Sequence, residues 1–249
     1  MKKSPLKIAI FGYGRMGQLV EETARREGII VGPILNSKNN AQSQGISASA
    51  LDGVDVGIDF STPGAVIGNI EAAAKLGLNL VVGTTGWYER LDEIKAIVAR
   101  ENIGFVFGSN FSLGVNLFFN LAEYASGLFS LFQDYDPFIE EAHHKFKKDA
   151  PSGTAITLRK ILEKDYTNSI PVTSVRAGFI PGTHRLSFDS EVDTITLTHT
   201  ARNRQGLAAG AIFAARWIAG KKGFYEFREI IAEHIRAAKG VSHVVNDDI

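Results

Sequence analysis

Apolar residues form two kinds of run along the first part of the chain. Short unbroken runs, "LKIAIF" (6–11), "IIVGPIL" (29–35), "DVGIDF" (55–60), "LNLVVG" (78–83) and "IGFVFGS" (103–109), have the length of buried strands. Between them, apolar positions recur at helical spacing in "MGQLVEETARREG" (16–28), in the stretch from Pro63 through "AVIGNIEAAAKLG", and in "YERLDEIKAIVARE" (88–101). Gly28 and Gly77 stop the first two, and Pro63 stands where a helix opens. Strands alternating with helices predict a parallel sheet covered on both faces.

The pattern changes after residue 112. "GVNLFFNLAEYASGLFSLF" (114–132) reads as a long, largely buried helix, "YDPFIEEAHHKF" (135–146) as a strand, and "SGTAITLRKILEKD" (152–165) as a helix. Three strand-like segments follow with no helix between them, at 171–180, 183–190 and 193–201. In the last, "DTITLTHT" alternates polar and apolar, as a half-exposed antiparallel strand does, and the turn "IPGTH" supports a hairpin. A final helix, "GLAAGAIFAARWIAG", leads into a tail. The expected class is α/β: a Rossmann-type doubly wound parallel sheet in residues 1–112, then an α+β domain with an open mixed sheet in 113–204. The tail, about 205–249, is expected to return to the first domain.

Composition narrows the function classes. The 249 residues carry 27 Lys+Arg and 27 Asp+Glu, so there is no basic excess that would favour nucleic acid. With no cysteine, disulfides and thiolate metal sites are excluded. The apolar run near the N-terminus passes directly into a glycine-rich turn, so it reads as a strand and not as a leader. The most apolar later segment is broken by Arg216 and is shorter than a membrane span. A cytoplasmic protein is expected, with neither nucleic acid nor membrane as partner.

"GYGRMG" (12–17) is a G-x-G-x-x-G with a strand before it and a helix after it, the context of a dinucleotide fingerprint. Gly12 allows the tight turn, Gly14 lets a pyrophosphate approach the backbone at the helix N-terminus, and Gly17 permits close helix–strand packing. The second strand ends in Asn36 where an NAD-specific site carries an acid; Ser37 and Lys38 follow. No carboxylate there repels a 2′-phosphate, so the nucleotide is expected to be NADPH, with NADH tolerated. Loops at 61–64, 83–87 and 108–114 follow other strands at the same sheet edge, where ligands of such sheets bind.

The densest chemistry lies in "EEAHHKFKKDAPSGTAI" (140–156). His143 and Lys147 are four apart; on an extended segment residues 143, 145 and 147 share one face and His144 the other. Lysines supply fixed positive charge, and histidine exchanges protons near neutrality. Asp149 or Ser152 would cap the following helix, whose first amides, at Gly153 and Thr154, would face an anion. Adjacent histidines also suit a metal, but the lysines repel cations, and no metal is expected. The segment reads as an acid–base site for a small dianion.

These motifs resemble those of the dihydrodipicolinate (4-hydroxy-tetrahydrodipicolinate) reductase family. "GYGRMG", "IDFSTP", "GTTGW", "SNFSLGVN", "EEAHHKFKKDAPSGTA" and "THTARNRQGLAAGA" occur in the family's order along most of the chain. The resemblance implies reduction of 4-hydroxy-tetrahydrodipicolinate, via dihydrodipicolinate, to tetrahydrodipicolinate in diaminopimelate and lysine biosynthesis. It implies that His143 exchanges a proton and Lys147 donates one, and that His144, Gly153 and Thr154 bind substrate. Cofactor contacts are implied for Gly12, Tyr13, Gly14, Arg15, Met16, Gly17, Gly83, Thr84, Thr85, Ser109, Asn110, Phe111 and Ser112, and for Arg204 near the domain junction. It further implies a homotetramer assembled through the open sheet, using NADH and NADPH to varying degrees. The chain departs from the family at Asn36–Ser37, where many members have an acid and arginine, and at Phe146, where some carry histidine. Other two-domain dehydrogenases, or a nucleotide-sensing regulator without turnover, are the alternative readings.

Overall fold

The computed structural model describes residues 5–238. In chain order its elements are β1 (Lys7–Phe11), α1 (Arg15–Arg26), β2 (Ile30–Leu35), β3 (Val56–Asp59), α2 (Pro63–Lys75), β4 (Asn79–Val82), α3 (Leu91–Arg100) and β5 (Gly104–Phe107). Then come α4 (Leu113–Phe129), β6 (Asp136–His143), α5 (Gly153–Leu162), β7 (Val172–Arg176), β8 (Thr183–Asp189), β9 (Thr194–Thr200), α6 (Gln205–Ile218), β10 (Gly223–Glu226) and α7 (Phe227–Ala238). The chain divides into two compact units: one from residues up to Ser112 together with those from Leu207 onward, the other Leu113–Gly206.

The first unit is a six-stranded sheet in the order β10-β5-β4-β3-β1-β2. Every pairing in it is parallel. The strands read as near-continuous apolar runs because both faces are covered; all four residues of β3 and of β4 are buried. Pro33 is tolerated in β2 because that strand lies at the sheet edge, where a missing N–H costs no ladder bond. From β1 the order runs to β2 on one side and to β3 on the other, so the strand ends around Gly12 and Ser61 flank the topological switch point.

The tail holds two elements that the sequence reading leaves unresolved. β10 joins β5 as a sixth parallel strand, and α7 buries Phe227, Ile230 and Ile231 on one face. Residues 239–249 of the predicted tail lie outside the described residues. Among the described residues, no helix is long and apolar enough to cross a membrane.

The second unit is a mixed sheet in the order β7-β6-β8-β9, with β7 parallel to β6 and the remaining pairs antiparallel. β6 alternates strictly, with Pro137, Ile139, Glu141 and His143 buried. Ile139 and the β8 residues Leu186 and Phe188 form one core with Phe118 and Ala122 of α4 and Leu158 and Leu162 of α5. The opposite face is open. The threonines of β9 are exposed at alternate positions, as the alternation in "DTITLTHT" predicts.

Candidate active site

The first unit carries two adjoining clefts at the C-terminal edge of its sheet. One, about 320 Å³, is lined by Gly12, Tyr13, Gly14, Asn36 and Ser37, with Asn40, Ser61 and Asn69 among the other walls. The second, about 430 Å³, is lined by Gly14, Arg15, Met16, Ser61, Gly83, Thr84 and Thr85, among others. Phe60, Gly14 and Ser61 belong to both. Lys38 is outside both linings; its N–H donates to Asn36 Oδ1 at 2.9 Å.

The three fingerprint glycines differ in what requires them. Gly12 has φ +90, and a Cβ there would stand 2.3 Å from the Phe60 carbonyl oxygen. A Cβ on Gly17 would stand 2.1 Å from the Gly12 oxygen. Gly14 has φ −82, and its Cβ would meet nothing within 4 Å. A glycine that the protein itself does not need fits a group approaching from outside. Gly14 is also the N-cap of α1, whose first turn has no acid and no side-chain cap, so its free amides and dipole suit a pyrophosphate. Gly14→Ala is therefore expected to leave the melting temperature nearly unchanged while weakening nucleotide binding at least about tenfold. Gly12→Ala should instead destabilise the fold by more than about 1 kcal/mol. Calorimetry and nucleotide titration of both variants check this.

Beneath the clefts lies Asp59, 1% exposed, at the end of β3. Its Oδ1 accepts from the Ser61 N–H (2.9 Å), the Ser61 hydroxyl (2.7 Å) and the Thr84 hydroxyl (2.6 Å), and its Oδ2 from Asn69 Nδ2 (2.9 Å). Burial raises its pKa, against the pull of those donors. Thr84 is thus committed to the protein through its hydroxyl, and its carbonyl accepts the Trp87 indole N–H at 2.7 Å. Phe111 is likewise a core residue, 1% exposed, with its ring 4.6 Å from that of Phe227. Asn110 Oδ1 accepts the Ser112 N–H at 2.9 Å, and Ser109 is exposed.

In the second unit, strand register assembles the polar cluster. Glu141 and His143 share the buried face of β6 by the two-residue period. In β8, His184 pairs directly with Glu141; in β7, Arg176 pairs with His143. Glu141 bonds the Nδ1–H of His143 with one oxygen and accepts from Arg176 (2.6 Å) and the Ser152 N–H (3.3 Å) with the other. The Ser152 hydroxyl lies 3.0 Å from His184 Nε2 and accepts the Ala155 N–H at 3.2 Å. Ser152, of the two capping candidates, is therefore the N-cap of α5, while Asp149 binds Lys147 Nζ with both oxygens at 2.8 Å. The first-turn amides of Gly153 and Thr154 have no intrahelical acceptor, and a Cβ on Gly153 would meet open space.

The extended reading of residues 143–147 is corrected by the structure. β6 stops at His143, and a turn closed by the Lys147 N–H on the His144 carbonyl (3.1 Å) follows. The two-residue alternation therefore does not apply beyond His143. Lys145 turns onto the rings of Phe146 and Phe179, 5.2 and 5.9 Å from their centroids. His144 is half-buried, with Nδ1 lacking a hydrogen-bond partner. Arg204 is exposed just before α6.

Burial shapes the protonation of this cluster. For Glu141 burial acts upward, but hydrogen bonds from Arg176 and Ser174 and the field of His143 outweigh it and hold the carboxyl at about 2. Burial lowers His143, with Glu141 partly offsetting it, and lowers His184 to about 4. Ligand-type atoms of Glu141, His143 and His184 lie within 4.8 Å of one another, a spacing that suits a small cation. The Arg176 guanidinium on Glu141 and the adjacent Lys147 oppose one there. A neutral buried His184 also implies a pH dependence. Its folded pKa lies below the unfolded 6.5, so its stabilisation is present above pH 6.5 and is lost as pH falls towards about 4. A loss of roughly 2–3 kcal/mol across that window is expected. Melting temperatures at pH 7 and 4.5 should differ less in His184→Asn than in the wild type.

The sequence reading finds His143 and Lys147 but not Glu141, Arg176, Ser152 as a histidine partner, His184 or Asp59. Glu141 was accessible through the same two-residue period applied backwards from His143; the partners on β7 and β8 depend on register.

Comparison with known proteins gives the same picture along most of the chain. Residues 6–111 match the family model described as dihydrodipicolinate reductase, N-terminus, and residues 114–231 the one described as dihydrodipicolinate reductase, C-terminus. The 4-hydroxy-tetrahydrodipicolinate reductase of Christiangramia forsetii is 38% identical over 241 residues, covering 92% of this chain and 98% of that protein. That of Methanoregula boonei is 35% identical over 252 residues, covering 90% and 97%. A dipicolinate-bound dihydrodipicolinate reductase from a Paenisporosarcina species shares the fold with a TM-score of 0.75 at 23% identity, covering 91% of this chain and all of that one. Since both halves match their family models in order and these relatives align along nine-tenths of the length, the chain belongs to the dihydrodipicolinate reductase family.

Proposed function

We propose that this chain reduces 4-hydroxy-tetrahydrodipicolinate, by way of dihydrodipicolinate, to tetrahydrodipicolinate with a nicotinamide nucleotide, in diaminopimelate and lysine biosynthesis. The nucleotide supplies the hydride. The observation that carries the reading is the cluster built by register at the N-terminus of α5: His143 held by Glu141, with Arg176 and Lys147 beside it. The Gly153 and Thr154 amides, with Lys147 and His144, bind the substrate carboxylates. His143, anchored through Nδ1, exchanges protons through Nε2, and Lys147 donates the proton that completes the product. Asp149 holds the Lys147 side chain at 2.8 Å until substrate carboxylates compete for it.

Gly12 to Gly17 and the loops at Ser61 and Gly83–Thr85 hold the nucleotide. The preferred nucleotide is NADPH. A neutral carboxamide at Asn36 and the hydroxyl of Ser37 line the cleft where an acid would exclude a 2′-phosphate. The first unit thus serves as the nucleotide domain and the second as the substrate domain. The exposed, threonine-rich face of the second sheet supports assembly of copies into a tetramer, which light scattering tests. The decisive experiment adds freshly generated substrate to the protein with NADPH or NADH and follows nicotinamide absorbance. Loss of absorbance, faster with NADPH, is expected; no loss with either nucleotide contradicts the proposal.

A further inference from the structure

We propose that Asp59 is a positioning residue for nucleotide binding: it sets the direction of a buried hydrogen-bond relay that fastens the loop after β2 and so shapes one side of the nucleotide cleft. This rests on the reading that the cleft holds a nicotinamide nucleotide. The relay runs from Asp59 Oδ2, which accepts Asn69 Nδ2–H (2.9 Å), to Asn69 Oδ1, which accepts Asn40 Nδ2–H (2.9 Å), to Asn40 Oδ1, which accepts the Gly45 N–H (3.0 Å). The Ser43 hydroxyl donates to Asn69 Oδ1 as well, at 2.9 Å. The two ends determine the polarity. Asp59 Oδ2 accepts at one end and the Gly45 N–H donates at the other, so each amide between them has one orientation that satisfies its neighbours.

Asp59 and Asn69 are 1% and 2% exposed, so water cannot replace a lost partner. The fastened loop needs holding. Gln42 and Ser43 are non-glycine residues with φ of +50 and +63, a backbone that persists only where its surroundings maintain it. Asn36, Ser37 and Asn40, at the start of this loop, line the 320 Å³ cleft.

An asparagine at position 59 cannot substitute. Its single oxygen can face either Asn69 or the Ser61 N–H, and its N–H₂ then opposes a donor on the other side. Thr84 bonds the same carboxylate but has no link to residues 40–45, so it separates the relay from general softening around Asp59. The test uses wild type, Asp59→Asn and Thr84→Val, with adenosine 2′,5′-bisphosphate and NADPH as probes by calorimetry. Amide hydrogen exchange of residues 36–46 is read in the nucleotide-free protein. Asp59→Asn should weaken adenosine 2′,5′-bisphosphate about tenfold or more and speed exchange at Gly45, whereas Thr84→Val should leave exchange at Gly45 within about twofold of the wild type. Equal speeding of exchange at Gly45 by both variants, or no weakening of the probe by Asp59→Asn, overturns the relay. Should Asp59→Asn fail to fold, Asn40→Ala, at the half-buried outer end, removes a link of the same chain without adding charge to the cleft and should likewise speed exchange at Gly45. If the wild type binds neither probe, the proposed function fails, and the exchange measurement still decides the relay.

Discussion

Lys147→Ala is expected to lower kcat by about 10²–10⁴ while leaving nucleotide affinity and melting temperature nearly unchanged. The stability half follows from exposure. Among the described residues Lys147 is paired with Asp149, and the two side chains are 23% and 58% exposed, so the pair is worth well under about 1 kcal/mol. The nucleotide half follows from placement, since the residues lining the two clefts all belong to the other compact unit. What remains is chemical: loss of a proton donor and of a fixed charge. Lys147→Arg separates the two. Arginine keeps the charge but does not release its proton in proteins. It should restore much of the substrate KM and little of the kcat. Recovery of kcat in Lys147→Arg would make Lys147 a purely electrostatic group. A matching loss of NADPH affinity in Lys147→Ala would remove its assigned role altogether.

The parts of this molecule that were legible in the sequence are those specified locally. Buried parallel strands announce themselves as short apolar runs, and β1, β3, β4 and β5 lie within the segments so read. The glycine turn was legible because its requirement is steric and confined to a few bonds, as at Gly12. β10 and α7 were not resolved. "GFYE" is a four-residue strand whose identity comes from pairing with β5, more than a hundred residues away. The spacing of Phe227, Ile230 and Ile231 did carry the helical signal for α7. In the site, His143 and Lys147 stood out by residue type, but their environment is tertiary. Arg176 and His184 reach Glu141 and His143 only through the register of β7 and β8. The extended reading past His143 failed because a turn bond from Lys147 to His144 ends the strand there. Thr84 and Phe111 carried family-implied contacts, yet their side chains are committed to Asp59 and to Phe227.

Glu141 is the residue through which stability and chemistry are most tightly joined. Its side chain is fully buried, its charge is matched by Arg176, 17% exposed, and it accepts the His143 Nδ1–H. Glu141→Ala leaves the guanidinium without its carboxylate, and breaking such a pair costs about 3–5 kcal/mol, a large share of a typical domain's stability. Extensive unfolding is expected in that variant. Glu141→Gln keeps the shape and isolates the charge. Its single oxygen can stay with Arg176 and the Ser152 N–H, which turns the amide N–H₂ towards His143 Nδ1. The imidazole must then carry its proton on Nε2, the atom assigned to proton exchange. The carboxylate also raises the His143 pKa against the lowering effect of burial, so its removal favours the neutral ring. The pH–rate profile of Glu141→Gln should therefore show the histidine limb displaced by about one unit or more to lower pH, with kcat down about 10²-fold or more. Melting temperature should fall far less than in Glu141→Ala. A merely structural carboxylate would lower the melting temperature and leave the position of that limb where it is in the wild type, and such a profile would remove Glu141 from the proton-transfer machinery.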